Sequence, residues 1–101
     1  MNQIKSDVIL AAIADAAASD PFQVDPGRPV TVIMHAALGI EAGKYGDLQI
    51  SHDGVAWQDV FVGGNQVRMS SVNNRIQVVE TGLYRIEREA MANPTAITIK
   101  Y

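Results

Sequence analysis

The stretch Ser51-His52-Asp53-Gly54-Val55-Ala56-Trp57 decides the fold of this chain. Asp-Gly is a strong short-range signal for a β-hairpin, because both central positions of a tight type I′ turn need a positive φ. Apolar and polar residues alternate on both sides of it, from Leu48 before the turn to Val60 after it. We therefore predict a central hairpin in which Asp53 and Gly54 form the turn and Trp57 begins the second strand.

The same period-two alternation recurs in short runs along the chain after Pro21, separated by Gly, Pro, Asn and Asp turn signals. Each run has one apolar and one polar face, as antiparallel strands on one side of a core do. The pattern predicts a mainly β protein, an antiparallel and jelly-roll-like β-sandwich of about eight short strands. The apolar positions that define the runs are Phe22 and Val24, Val30 to Met34, Leu48 and Ile50, Trp57 to Val62, Val67 and Met69, Ile76 and Val78, Tyr84 and Ile86, and Ile97 and Ile99.

Residues 6–18 are predicted to form one N-terminal helix. Ser6 is a suitable N-cap, Asp7 suits the positive end of the helix dipole, and the run is rich in alanine. The helix is apolar on several sides, which leaves two alternatives: it packs on one sheet face, or it packs against another subunit. The chain then divides into an N-terminal helix or arm, residues 1–20, and a β-sandwich domain, residues 21–101. The residues expected to contact a subunit or a shell are Ile4, Val8, Ile9 and Ile13.

Composition excludes several classes of protein. A chain of 101 residues predicts one domain, and its 48% hydrophobic and 19% charged residues are typical of a folded one. The net charge of −3 argues against a nucleic-acid partner, which would need a basic face. The absence of cysteine excludes disulfides and thiolate chemistry, and no run approaches the ~20 apolar residues that span a bilayer. We expect no nucleic acid and no membrane as a partner.

No residue pattern carries a recognisable reaction chemistry. His35 and His52 are the only histidines, and no spacing between them matches a metal site. Asp47, Asp53 and Asp59 do not form a recognisable catalytic pair or calcium loop. We therefore predict that the protein is not an enzyme, and we assign no catalytic residue, no cofactor-binding residue, no metal ligand and no cofactor.

Trp57 and the charged residues near the end of the chain each have two possible interpretations. Trp57 could form a platform for a sugar together with Tyr45 or Phe61, but the scattered aromatics favour a buried tryptophan that pins the hairpin register. Alternation places Arg85, Glu87 and Glu89 on the outer face of one strand, either as solvated cross-strand pairs or as part of an intersubunit contact.

Two resemblances meet at the opening motif. Ser51-x-Asp53-Gly54-x-x-Trp57 is similar to the Asp-box of sialidase-like propellers, Ser-x-Asp-x-Gly-x-x-Trp, but it is one residue shorter and occurs once. A propeller needs several four-stranded blades, so the length of the chain excludes that fold.

The order of motifs over residues 30–100 resembles small β-sandwich structural proteins of tailed bacteriophages. The loop Gly39 to Lys44 and the N-terminal helix depart from their pattern. The motifs that carry the resemblance are Gly46-Asp47-Leu48-Gln49-Ile50-Ser51, Asp53-Gly54 with Trp57, Arg75-Ile76-Gln77-Val78, Gly82-Leu83-Tyr84-Arg85-Ile86, and Ala96-Ile97-Thr98-Ile99.

The resemblance implies a non-enzymatic structural protein of the virion, made in the host cytoplasm. It implies a head decoration or cement role, in which a homotrimer binds the major capsid protein or another virion protein and strengthens the shell. The alternatives are a carbohydrate-binding β-sandwich module and another phage tail or fibre component.

Overall fold

The computed structural model describes residues 5–101, and within them the chain forms twelve short β-strands and no helix. Every strand pair is antiparallel, which confirms the predicted mainly β, antiparallel class. The strands are β1 (Ser6–Ile13), β2 (Ala17–Ala18), β3 (Phe22–Val24), β4 (Val30–His35), β5 (Gly46–Ser51), β6 (Gln58–Asp59), β7 (Phe61–Val62), β8 (Asn65–Gln66), β9 (Arg68–Met69), β10 (Arg75–Val78), β11 (Gly82–Arg88) and β12 (Thr95–Lys100).

The strands form two main sheets in a sandwich-like arrangement. The first sheet has the order β1-β12-β4-β10. The second has the order β2-β11-β5-β6, with β3 also pairing with β11 and β9 with β5. Strands β7 and β8 form a separate small hairpin that follows β6. The strand count exceeds eight because β1 and β2 lie where a helix was predicted, and because two predicted runs each divide, one into β6 and β7 and the other into β8 and β9.

One hydrophobic core lies between the two sheets. In β4, β5, β11 and β12, period-two alternation turns every second side chain inward, where it loses contact with water. The sheets approach closely at Gly46 of β5, where a Cβ would lie 3.3 Å from the Met34 side chain of the opposite sheet and 3.1 Å from Ile86 on the neighbouring strand. The core consists of Ile9, Phe22, Val24, Val30, Val32, Met34, Leu48, Met69, Val78, Tyr84, Ile86, Met91, Ile97 and Ile99.

The prediction of an N-terminal helix over residues 6–18 is wrong. Residues 6–13 form β1, which pairs with the last strand, β12, and residues 17–18 form β2, which pairs with β11. Helix propensity is a weak local preference, and an isolated helix of this length is marginal in water. The strand conformation gains two tertiary contacts that outweigh this preference: pairing with β12 and burial of Ile9.

The chain crosses from the first sheet to the second between β1 and β2. Register shifts between Val8 and Leu10 and between Leu10 and Ile13 bend β1 before the crossing. Arg88 of β11 is buried at the crossing, and its guanidinium donates to the carbonyls of Ile13 at 2.8 Å and Asp15 at 2.5 Å.

The central hairpin joins β5 to β6, with Gln49 opposite Asp59. Its connection is residues 52–57, not a two-residue turn. Gly54 has a φ of 78°, whereas no residue other than glycine has a positive φ within residues 5–101, so Asp53 does not adopt the type I′ conformation. The longer loop is possible because side-chain hydrogen bonds organise it.

Candidate functional site

Asp53 organises the loop between β5 and β6. One carboxylate oxygen, Oδ1, accepts hydrogen bonds from the backbone N–H of Val55 at 2.8 Å and of Ala56 at 2.9 Å, and from the Ser51 hydroxyl at 3.2 Å. The Ser51 hydroxyl in turn accepts from the Gly54 N–H at 2.8 Å. These bonds to the ionised form lower the pKa of Asp53, the bond from Ala56 contributing most. The motif therefore shapes this loop.

Trp57 lies on the outer face of the second sheet, so the interpretation of Trp57 as a core residue is wrong. The indole is half-buried, and the Arg85 guanidinium stacks over it at 4.6 Å from the ring centroid. Arg85 alternates with Tyr84 and Ile86, which are buried, and so faces outward. A six-residue loop, longer than a two-residue turn, brings Trp57 onto this face.

A second arginine–aromatic pair lies near the start of β5. The Arg68 guanidinium stacks over Tyr45 at 4.2 Å from the ring centroid and forms an ion pair with Asp47 at 2.9 Å. It also donates to the Gln66 amide oxygen at 2.6 Å. Burial raises the pKa of Asp47, and Arg68 partly offsets this, while the nearby carboxylates of Asp59 and Glu89 add to the rise.

Hydrogen bonds extend from Arg85 to side chains on the neighbouring strands of the second sheet. Gln49 lies opposite Arg85 and accepts from its Nε at 2.8 Å, and the Gln49 amide donates to Asp59 at 3.1 Å. Arg85 also forms an ion pair with Glu87 at 3.3 Å. We call this surface the Arg–aromatic face. It consists of Tyr45, Asp47, Gln49, Trp57, Asp59, Arg68, Arg85, Glu87 and Glu89.

The outer face of the first sheet is positively charged, whereas the Arg–aromatic face has more carboxylates than guanidinium groups. Arg75 and Lys100 are exposed on it, and the outward positions of β4, β10 and β12 include no carboxylate. His35 also lies there and hydrogen-bonds through Nε2 to the Thr98 hydroxyl at 2.9 Å. We call this surface the cationic face. It consists of Thr31, Ile33, His35, Arg75, Gln77, Thr98 and Lys100.

The residues predicted to contact a subunit or shell do not share one surface. Ile9 is 7% exposed and belongs to the core, so it is not available to a partner. Val8 is 63% exposed and lies opposite Thr98 at the edge of the first sheet, and Ile13 is exposed near the crossing. Ile4 lies outside the described residues.

An apolar groove of about 460 Å³ lies beside the β7–β8 hairpin. Phe61, which is 60% exposed, and Val79 line it, together with the edge of the core at Val78 and Tyr84. Phe61 therefore does not share a surface with Trp57.

The two histidines do not meet. His35 belongs to the first sheet and His52 to the loop after β5. Within residues 5–101 no group of three His, Cys, Asp or Glu side chains is placed to hold a metal ion. The same part of the chain contains no helix with the length and apolarity that crossing a membrane requires.

Sequence reasoning named Tyr45, Trp57 and the outward Arg85, but it missed both arginine stacks. Alternation on adjacent strands could have placed Arg85 and Gln49 on one face. The signal for Arg68 was weaker, because β9 is only two residues long.

Comparisons with known proteins show where this fold occurs. Neither the protein-family models nor the curated proteins include a match to this chain. Among solved structures, the chain is similar to the SPBc2 prophage-derived protein YomS, with a TM-score of 0.67 and 8% sequence identity. The likeness covers 97% of this chain and 91% of that chain, so the two share a fold, and that fold occurs in a prophage-derived protein.

Proposed function

We propose that this chain is a non-enzymatic structural protein of a bacteriophage particle. The observation that carries the proposal is the fold shared with a prophage-derived protein over 97% of this chain. The motif order over residues 30–100 points to the same class independently of that likeness. We also propose that its two sheets form a β-sandwich of the jelly-roll type.

The specific role we propose is head decoration or cement: a homo-oligomer that binds the major capsid protein or another virion protein. The Arg–aromatic face supports a binding role, because Trp, Tyr and Arg dominate the residues that contribute most to protein interfaces. Stacking and hydrogen bonds fix these side chains before binding, so little of their conformational entropy remains to be lost.

Quantitative mass spectrometry of purified particles from the host strain tests this role. We expect the protein in particles at a fixed ratio to the major capsid protein, and also in heads purified from a tail-deficient mutant. Particles that lack the protein should lose their DNA at a lower temperature. Absence of the protein from particles contradicts the proposal, and its loss together with the tail reassigns it to a tail or fibre component.

A carbohydrate-binding module is the second candidate, favoured by the outward position of Trp57 and Tyr45. Arg85 and Arg68 already cover one face of each ring, which leaves less aromatic surface for a sugar. Titration of the protein with bacterial surface glycans, followed by Trp57 fluorescence, distinguishes the two functions. A saturable change in Trp57 emission that Tyr45→Ala abolishes supports the module, and a silent tryptophan contradicts it.

A further inference from the structure

We propose that copies of this chain associate head to tail, with the cationic face of one copy docked on the Arg–aromatic face of the next. This inference rests on the proposed homo-oligomer and names the surfaces that form it. The partner is a second copy because each molecule carries both a positively charged face and a face with an excess of carboxylates.

The cationic face offers two positive charges with no ion-pair partner within residues 5–101. Arg75 and Lys100 are exposed and flank a shallow depression of about 410 Å³. Thr31 and Ile33 form part of its lining, so the charges surround a small, partly apolar recess. Such a recess suits a carboxylate whose neighbours are apolar or aromatic.

The Arg–aromatic face offers the matching negative charges. It has four carboxylates against two guanidinium groups, and Arg68 and Arg85 pair with Asp47 and Glu87. Asp59 accepts only from the Gln49 amide, and Glu89 accepts from the Tyr45 N–H at 3.3 Å. These two carboxylates therefore have no ion-pair partner in the described chain, which matches the two unpaired cations of the other face.

The geometry makes the contact directional. The two faces lie on opposite sides of the sandwich, so one copy can bind a neighbour on each side at the same time. Contacts between unlike surfaces generate a ring if the rotation closes and an open stack if it does not. Faces on opposite sides of a sandwich favour a stack or a large ring over the homotrimer expected from the resemblance.

Sedimentation velocity on the purified full chain, from about 10 µM to about 1 mM, tests the contact. We expect association that increases with concentration and weakens by about tenfold between about 50 mM and about 500 mM NaCl, because exposed charges are screened. A strict monomer throughout, or a discrete trimer unaffected by salt, overturns the proposal.

Neutral variants of each face test which side chains form it. Arg75→Gln with Lys100→Gln removes the cations, and Asp59→Asn with Glu89→Gln removes the carboxylates while keeping their acceptor oxygens. Each double variant should weaken association by about tenfold or more. The matched controls are Arg28→Gln and Asp25→Asn in the loop between β3 and β4, which should behave as wild type. Equal loss in the controls overturns the proposal. Circular dichroism shows whether each variant is folded.

Mixing the two double variants gives the decisive result. Each keeps one intact face, so an equimolar mixture should form a 1:1 dimer that does not grow further. A mixture that remains monomeric overturns the head-to-tail contact. If particles contain the protein but both double variants still associate like wild type, only this inference is contradicted. Head-to-tail association of a protein absent from particles contradicts only the proposed function.

Discussion

Arg88 holds together the point where the chain passes from one sheet to the other. Its side chain is 1% exposed and donates to the carbonyls of Ile13, Asp15 and Glu89, while its Nε has no hydrogen-bond partner. Burial lowers the pKa of Arg88, and the charge of Asp15 opposes that change. A buried cation is costly unless its donors are paired, so the crossing depends on these three hydrogen bonds to backbone carbonyls.

Arg88→Met should destabilise the protein by about 2–4 kcal/mol, because it leaves the Ile13 and Asp15 carbonyls without a donor. Arg88→Lys keeps the charge with fewer donors and should fall between methionine and wild type. Urea unfolding followed by circular dichroism measures both. A methionine variant as stable as wild type would show that the charge has no structural role.

Asp53 makes the β5–β6 loop sensitive to acid. Its pKa is lowered in the folded protein, so its stabilising contribution is present above the usual value of 3.8 and is lost as pH falls through the lower folded value. Asp53→Asn should therefore unfold at a lower urea concentration than wild type near neutral pH, and the difference should vanish in acid. Carboxyl NMR titration measures the pKa directly, and a value at or above 3.8 contradicts the loop geometry.

The position of Trp57 is measurable by its fluorescence. A half-buried indole on an outer face should be quenched by acrylamide, and Arg85→Ala should increase the quenching and cost about 0.5–1 kcal/mol of stability. Arg68→Ala is the matched control, because it removes the stack on Tyr45 and should leave the Trp57 emission unchanged. Blue-shifted emission that acrylamide cannot reach would return Trp57 to the core.

At the scale of the element, β1 shows how tertiary pairing overrides a local preference. Its sequence, Ser-Asp-Val-Ile-Leu-Ala-Ala-Ile, combines helix-favouring alanine with β-branched valine and isoleucine. In the strand conformation, Val8 pairs with Thr98 and Leu10 with Ile97, so the backbone of β1 obtains its hydrogen-bond partners from β12. The bulges then let Ile9 enter the core although much of the strand is exposed.

Two single substitutions on β1 should have very different effects. Ile9→Ala removes a buried side chain and should cost about 2–4 kcal/mol, whereas Val8→Ala, on an exposed side chain, should cost less than about 1 kcal/mol. Thermal and urea unfolding of both variants give the comparison. Similar small losses would mean that β1 is detached from the sheet in solution.

At the scale of the whole molecule, the first and last strands pair with each other at one edge of the first sheet. The Lys5 N–H donates to the Tyr101 carbonyl at 2.7 Å, and the Tyr101 N–H donates back at 3.0 Å. The Ser19 hydroxyl accepts from the Ile86 N–H at 2.9 Å in the second sheet. The N-terminal segment is thus bonded into both sheets.

Removal of residues 1–19 should therefore prevent cooperative folding. It exposes the edge of β12 and removes Ile9 and the Ser19 hydrogen bonds from the single core. We expect a sharp, single unfolding transition for the full chain, coincident by circular dichroism and Trp57 fluorescence, and none for the shortened chain. A shortened chain that unfolds cooperatively would show that residues 21–101 are an independent domain.

The amino-acid sequence by itself determined the antiparallel β class and the positions of the longer strands β4, β5, β10, β11 and β12. Their alternation is local, and the burial of one face follows from it. Tertiary structure decided that residues 6–13 form a strand, that Trp57 faces outward, and that Arg68 and Arg85 each stack on an aromatic ring. Those outcomes depend on which distant strand supplies the hydrogen bonds and on loop length, since a shift of one residue turns a side chain to the opposite face.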